Sequence, residues 1–487
     1  MPIGFNEIPN NIRVPLVYAE FDSSRAVSGS SNQMYKNLVF GQKLAAGTAP
    51  ADIPIRATNA DKVGVLAGFG SMLHAMAVAH FAANDFTETI FLPLGDAAGN
   101  AATGTRVFSG TATASGVVYL MVAAIPITVA VQSGDTASDV ATAVAAAVTA
   151  KTGILVSASA AAGTVTFTAL NSGEFGNDID IRVNYYDGEE TVAGITISGA
   201  AMSGGTINPS IANGLAALGD EQYHIIVMPY TDTANIQLME VELDSRFGPL
   251  RMNEGHSFSA SKVSLSALSA LGDSRNSKHI TIVAASGFPN TSAEVAASAA
   301  AIVSKHGQND PARPFQTLAL PGILAPVQVD RFTIAENNIL LHDGISTTYA
   351  DAGGVVRLQR LITTYKTNVS GADDVSYLDI NTLLTLSYIR YDYSNSMLIK
   401  FPRHKLGGDN ANFGVGQKVV TPKVIKAFSV SKFRDWEEQG YVEDVEQFKN
   451  DLIVERNGQD KTRLDIFLPP NLVNQFRIGG VQIGFLL

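Results

Sequence analysis

The sequence predicts an α/β core, interrupted by an inserted, β-rich α+β domain and bracketed by strand-forming terminal arms. Three observations predict it. Strand-like and helix-like segments alternate over residues 60–96 and resume near 208, as in a mostly parallel sheet with helices on both faces. Between these stretches, residues 97–205 are rich in Gly, Ala, Ser and Thr and shift to two-residue periodicity. At each end of the chain, apolar residues recur at strand spacing with no turn back onto a local partner.

Residues 1–30 read as the N-terminal arm. Pro2, Pro9 and Pro15 exclude a helix, while Ile12, Val14, Leu16 and Tyr18 share one face. The same pattern would also suit a first strand of the core. Residues 31–96 and 206–330 then form a discontinuous α/β core. Strands are expected at 62–67, 88–94, 224–229 and 279–284, with helices at 71–83, 209–218, 234–246, 259–271 and 291–306. Inside the insertion, period-two runs at 117–121, 127–131, 165–169 and 179–185 predict strands. One helix, 137–151, follows the capping signal Asp135-Thr136. Polar turn residues at both junctions suit insertion into a surface loop.

After residue 310, Pro311, Pro314, Pro321 and Pro326 mark an irregular connector. Residues 331–471 form a C-terminal domain. It holds a long helix over 376–398 with Asp374 near its positive end, a helix over 422–438 opened by Thr421-Pro422, and strands at 450–456 and 461–468. Residues 472–487 form the C-terminal arm. It carries Phe476 and Ile478, then Val481, Ile483 and Phe485 alternating with Gln482 and Gly484.

Composition narrows the function classes. A chain of 487 residues exceeds one ordinary core and implies two to four domains. Only 16% of residues are charged, which suits a chain that hides much of its surface against copies of itself. With 34 Lys and Arg against 45 Asp and Glu, the net charge of −11 argues against a nucleic-acid coat. The absence of Cys excludes disulfides, thiolate nucleophiles and Cys-ligated metals. No basic segment followed by an apolar one opens the chain, so no signal peptide is expected. The most apolar run, 117–131, is broken by Pro126 and too short to span a bilayer, so direct membrane insertion is not expected.

The search for chemistry finds no catalytic, cofactor-binding or metal-ligating residues. Gly68-Phe69-Gly70 would follow a strand and open a helix, as a dinucleotide-binding turn does. Leu73 replaces the third glycine, however, and no acidic residue closes the next strand. Gly255-His256-Ser257-Phe258-Ser259 resembles a nucleophile elbow but carries Ser where the second Gly belongs. His256, His279 and any of many Asp residues could be chosen as a triad, and so free a choice carries no information. The eight His lack metal-ligand spacing, and His74 and His80 lie six residues apart. Asp343, Asp351, Asp373 and Asp374 do not reproduce a calcium loop. Trp436 reads as a packing anchor.

The C-terminal third carries a recognisable succession: residues 336–344 (ENNILLHDG), 353–357 (GGVVR), 360–365 (RLITTY) and 371–379 (GADDVSYLD). It is similar to the core of contractile phage tail sheath proteins. Residues 8–15 (IPNNIRVP), 20–26 (EFDSSRA) and 67–73 (AGFGSML) resemble the Mu-like branch. The resemblance implies a structural protein, not an enzyme, that polymerises into a helical sleeve around the tail tube. Contraction of the sleeve would drive the tube through the host envelope. It implies a core like the subtilisin sheet without its catalytic residues, and stacked hexameric rings. The arms link these rings, through residues 12–21 and 476–486, onto a receiving sheet near 450–468. Implied partners are further copies, the tail tube protein, the baseplate and the tail terminator, with no cofactor and no nucleic acid. The implied location is the virion tail, after assembly in the host bacterial cytoplasm. The insertion is expected on the outer surface, because facing the tube it would obstruct it. Alternatives are the sheath of a pyocin-like or secretion-type injection device, and an α/β hydrolase or nucleotide-binding enzyme.

Overall fold

The computed structural model describes residues 33–414 and 416–486. The chain enters its main sheet as β1 (Lys36–Gln42) and passes through β2 (Ile55–Arg56), α1 (Ala60–Ala67) and α2 (Met72–Ala83) to β3 (Glu88–Leu94). β1 and β3 run parallel, with Lys36 opposite Glu88 and Gln42 opposite Leu94. The strand expected over 62–67 is the helix α1 instead. Asn59 caps it, its side chain accepting from the Lys62 N–H at 2.8 Å, and Val63 and Ala67, one turn apart, are buried. Cap chemistry here outweighs the β-branched content of the segment.

Residues 97–205 leave this sheet. They form β4 (Thr103–Gly110), β5 (Gly116–Val122), β6 (Ile125–Val131), α3 (Ala137–Ala150), β7 (Val156–Ala161), β8 (Thr164–Ala169), β9 (Ile181–Val183) and β10 (Ile195–Ser198). Among the described residues these strands make two small antiparallel sheets, ordered β10-β4-β8-β7 and β6-β5-β9. Pro126 is tolerated because β6 is an edge strand, where a missing N–H breaks no ladder. The expected helix start is a full capping box: Thr136 accepts from the Asp139 N–H, and Asp139 accepts from the Thr136 N–H at 2.9 Å.

The chain then returns to the main sheet. In order come α4 (Ala212–Ala217), β11 (Ile225–Val227), α5 (Thr233–Phe247), β12 (His256–Ser261), α6 (Leu265–Asp273), β13 (Ile280–Ala284), α7 (Ser292–Asn309), β14 (Ala319–Leu324), α8 (Ile334–His342), β15 (Ile345–Ala350) and β16 (Val355–Arg360). The helix expected over 259–271 is split: its first residues finish β12, and Ser264 caps α6. Among the described residues the sheet has nine strands, ordered β14-β16-β15-β13-β12-β11-β1-β3-β2. From β15 to β3 all neighbours are parallel, and the outer strands β14, β16 and β2 are antiparallel. The expected domain boundary at 330/331 therefore falls inside the sheet, between β14 and β15.

Both faces are covered, as a parallel sheet requires. Gly41 lies against Leu73 and Met76 of α2, whereas a Cβ on Gly214 of α4 would strike Leu92 and Phe40. Every residue of β12 and β13 is buried. α7 approaches closely because its buried face is built from Ala296, Ala297, Ala300 and Ala301, and Asn84 donates to the Ala301 carbonyl at 3.1 Å.

The last part comprises α9 (Ile380–Lys400), β17 (Lys405–Leu406), β18 (Val419–Val420), α10 (Pro422–Glu438), β19 (Val442–Glu443), α11 (Val445–Asp451), β20 (Ile453–Arg456), β21 (Leu464–Phe467) and β22 (Asn471–Leu472). The start expected for α10 is present, with Thr421 as cap and Pro422 in the first turn. The strand expected from 450 begins later, because Asp444 caps α11 over the preceding residues. Asp374 does not serve α9: it closes a turn, accepting from the Tyr365 hydroxyl at 2.7 Å and the Ser376 N–H at 2.8 Å. A second core forms around Tyr393, Phe428, Phe433, Trp436 and Phe448. At its centre the buried Asp392 carboxylate accepts from Trp436 Nε1 and pairs with Lys432 Nζ, each at 2.7 Å. Burial pulls the Lys432 ammonium down, but its bonds to Asp392 and Asp435 raise it further, and the net shift is upward.

Two stability predictions follow from these buried groups. Asp392→Ala leaves the buried Trp436 Nε1–H without its acceptor and the Lys432 cation with only Asp435, 3.3 Å away, and should cost about 2 kcal/mol in guanidinium unfolding. The fluorescence of Trp436, the single Trp, reports the transition. Acidification should also destabilise the fold. Burial pushes His80 and His224 from 6.5 down to about 4, and His224 Nδ1 accepts from the Lys36 N–H. The unfolded chain therefore binds protons first. Stability present above pH 6.5 should be lost as pH falls toward 4, by about 3 kcal/mol per imidazole. An unfolding midpoint that is flat between pH 7 and pH 4.5 would contradict this.

Candidate assembly interface

The residues singled out for chemistry are not arranged for it. Gly68-Phe69-Gly70 joins two helices and does not follow a strand. The amides a phosphate would need are occupied: Met72 N–H donates to Asn171 Oδ1 at 2.9 Å and Gly70 N–H to His74 Nδ1 at 3.4 Å. A Cβ on Gly70, at φ 81°, would lie 2.2 Å from the Ile154 carbonyl oxygen. The glycine is what seats the inserted segment against the core.

Ser257 and Ser259 sit fully buried within β12, not on a strained turn. Ser259 donates to the Met228 carbonyl at 2.7 Å, and His256 Nε2 lies 2.8 Å from Thr281 Oγ1. His279 is equally buried, 3.3 Å from Asp244, and desolvation lowers the pKa of both imidazoles. No substrate reaches this row. Among the described residues, no group of three or more His, Asp or Glu could hold a metal ion, and no helix is long and apolar enough to cross a membrane.

In an open parallel sheet, ligands bind beyond the carboxyl ends of the strands where the winding direction reverses. Here that point lies between β1 and β11, and the insertion is fastened across it. Gln42, at the end of β1, donates to Asp96 Oδ1 at 2.7 Å and to the Ser172 carbonyl at 2.6 Å. Asn171 donates to the Lys43 carbonyl and to Asp96. Lys262, half-buried, donates to the carbonyls of Asp178 and Asn290. The remaining cavity of about 300 Å³ is lined by Tyr230, Glu174, Asp178 and Ser261, among others.

The open features lie in the C-terminal part. β20 and β21 form an antiparallel hairpin with Ile453 opposite Phe467 and Val454 opposite Ile466. Val454 and Ile466 pack on the second core, while Ile453 and Phe467 are exposed on the other face. Among the described residues neither strand pairs with a third, so both edges are open.

The segment after β22 divides in two. Its root is fastened: Gln316 donates to the Phe476 carbonyl at 3.2 Å, and Arg477 Nη2 to Asp379 Oδ1 at 2.8 Å and to Asn381 Oδ1 at 3.2 Å. Arg360 pairs with the same Asp379 carboxylate at 3.0 Å. Beyond Ile478 the described residues make no hydrogen bond, and Val481, Ile483 and Phe485 are exposed. Phe476 and Ile478 are exposed side chains on the fastened root. Ile12, Val14, Leu16 and Tyr18 lie outside the described residues. The residues missed from sequence are Arg477, Asp379 and Arg360; the available signal was that Arg477 is the only charged residue of 472–487.

This division predicts a cleavage pattern. Chymotrypsin should cut at Phe485 before Phe476 in the intact protein, and Arg477→Ala should raise cutting at Phe476 several-fold without altering Trp436 fluorescence. Unchanged cutting at Phe476 would show that Arg477 does not hold the root.

The chain is similar to known proteins along its whole length. Residues 204–364 match the phage tail sheath protein central domain, and 372–483 match the phage tail sheath C-terminal domain. A Mu-like prophage tail sheath protein of Haemophilus influenzae is 38% identical over 488 aligned positions, which cover the whole of both chains. Among solved structures, a sheath tail protein of Desulfitobacterium hafniense aligns with a TM-score of 0.49 at 12% identity, over 94% of this chain and 97% of its own. One from Listeria innocua aligns with a TM-score of 0.49 at 12% identity, over 91% of this chain and 93% of its own.

Proposed function

Because the chain belongs to the phage tail sheath family, in its Mu-like branch, we propose that its copies are joined into a sleeve by exchange of terminal strands. The protein is a structural component of a contractile phage tail and not an enzyme. The observation that carries the linkage is a pair of unsatisfied features on one chain. Among the described residues a hairpin, β20–β21, has two open edges and an exposed Ile453–Phe467 pair, and an apolar segment, 479–486, makes no hydrogen bond. A strand laid on either edge satisfies its free N–H and C=O groups, and side chains alternating at period two supply apolar contact.

In this reading Val481, Ile483 and Phe485 of one copy, with Ile12, Val14, Leu16 and Tyr18 of another, extend the hairpin of a third. Phe476 and Ile478 form the apolar base of the C-terminal arm. The rings are hexameric and stack around the tail tube, between baseplate and terminator, after assembly in the host cytoplasm. The body divides into an arm (1–30), an α/β core resembling the subtilisin sheet (31–96 with 206–330), and an outward insertion (97–205). A sheath domain (331–471) follows, whose first two strands complete the core sheet, and the chain closes with the second arm (472–487). Contraction draws on energy held in subunit interfaces and uses no nucleotide.

The test is deletion of residues 479–487, which spares β22 and the Arg477 anchor. The truncated protein should keep its Trp436 fluorescence yet form no tubes by negative-stain electron microscopy under conditions where the full chain does. Tubes from the truncation would sink the strand-exchange claim.

A further inference from the structure

Beyond the carboxyl ends of β13 and β15 lies a cavity of about 200 Å³, roofed by the 3-10 turn Gln328–Asp330 and the first turn of α8. Its walls are apolar at Phe288, Pro326, Phe332 and Val356, and two polar side chains face it without a full set of protein partners. Arg331 donates from Nε to the Pro326 carbonyl at 2.9 Å and forms no ion pair among the described residues. Asn337 is only 6% exposed, yet among the described residues its side-chain amide makes no hydrogen bond. The one carboxylate in the lining, Asp330, is exposed and does not pair with Arg331. Both side chains keep polar atoms open to the solvent of the cavity, and an incoming carboxylate would replace that water with charge-assisted hydrogen bonds to both.

The rim adds a second, independent observation. Val329 is 88% exposed and Ile334 84%, and they flank the lining residues Gln328 and Asp330 to Phe332 in the chain. Single exposed apolar residues need no explanation, but two on the segments that roof one cavity holding an unpaired guanidinium have the make-up of a contact: a polar centre beside apolar side chains that exclude water.

We infer that this cavity is a contact between copies of the chain, in which Arg331 and Asn337 receive an acidic side chain of a second copy and Val329 and Ile334 close around it. The occupant follows from charge. The chain carries 45 acidic against 34 basic residues, so a cation without a partner is the rarer half of any complementary pair and the second copy supplies the commoner half. The contact rests on the sheath reading but is separate from strand exchange, since it uses neither arm nor hairpin.

The chain has no Cys, so a single introduced thiol is an unambiguous probe. Ile334→Cys should react freely with a maleimide in unassembled protein and at least an order of magnitude more slowly in tubes, with full reactivity restored in guanidinium. Arg331→Gln should keep its Trp436 fluorescence and need a higher protein concentration to form tubes. Equal labelling of position 334 in tubes and in unassembled protein would overturn the contact. Assembly of Arg331→Gln at the wild-type concentration would overturn the role of the cation. If position 334 stays reactive in tubes while acetate raises the melting temperature of the wild type but not of Arg331→Gln, the cavity takes a free small carboxylate and the proposal fails. Absence of tubes from the wild-type chain would count instead against the sheath reading itself.

Discussion

Six parallel strands, β15 to β3, form a sheet that cannot leave either face in water, and the rest of the body is organised by that requirement. One face takes α2 and α7, whose small side chains allow close approach; the other takes helices such as α4. The edges are closed by antiparallel strands drawn from distant parts of the chain, β2 on one side and β16 with β14 on the other. The crevice where such sheets bind ligands is crossed by the insertion, through Gln42, Asn171, Asp96 and the half-buried Lys262. The architecture that hosts chemistry in other proteins is thus spent on rigidity here. Ser257, Ser259, His256 and His279 are core residues for the same reason.

Much of the body was legible from local signals that agree with tertiary context. Period-two runs located β5, β6 and β8, the Thr136 and Thr421 caps located α3 and α10, and the apolar run 88–94 located β3. Misreadings arose where composition and cap chemistry disagree. Residues 62–67 look strand-like by their valines but are helical because Asn59 caps them and Val63 and Ala67 share a face. Residues 259–261 look helical by their Ser and Ala content but are a central strand, since sheet burial decides where no β-branched residue does. The placement of β15 and β16 in the main sheet is a long-range pairing that no local pattern encodes.

The candidate interface was legible in a different way. The alternation of Val481, Ile483 and Phe485 predicts an apolar strand face, whereas in the single chain residues 473–486 form no strand, and a strand there belongs to the proposed exchange between copies. The restraint at its base was not visible, because the Arg477–Asp379 pair joins residues far apart in the chain. Nor was the cavity beside α8, since neither Arg331 nor Asn337 is unusual until both are seen to line it, Arg331 with no ion pair and Asn337 with no side-chain hydrogen bond among the described residues.

A protein that must be stable alone and then polymerise faces a conflict, because the groups that bind neighbours are the ones that destabilise a solitary chain. A two-stranded hairpin is marginal in water, and an open edge invites unspecific pairing. The structure separates the two demands in space. Val454 and Ile466 anchor β20–β21 on the core around Trp436, so the hairpin is held by burial on one face while its edges and the Ile453–Phe467 face stay open. The arm is separated in the same manner, fastened through Arg477 and free beyond Ile478. Asp379 sits at the first turn of α9 and also holds Arg360 of β16, so a pull along the arm enters both the long helix and the edge of the main sheet. A bond between subunits made by the arm would therefore act on the rigid body directly, with Gly479 and Gly480 supplying the joint that lets the arm change direction while the body turns.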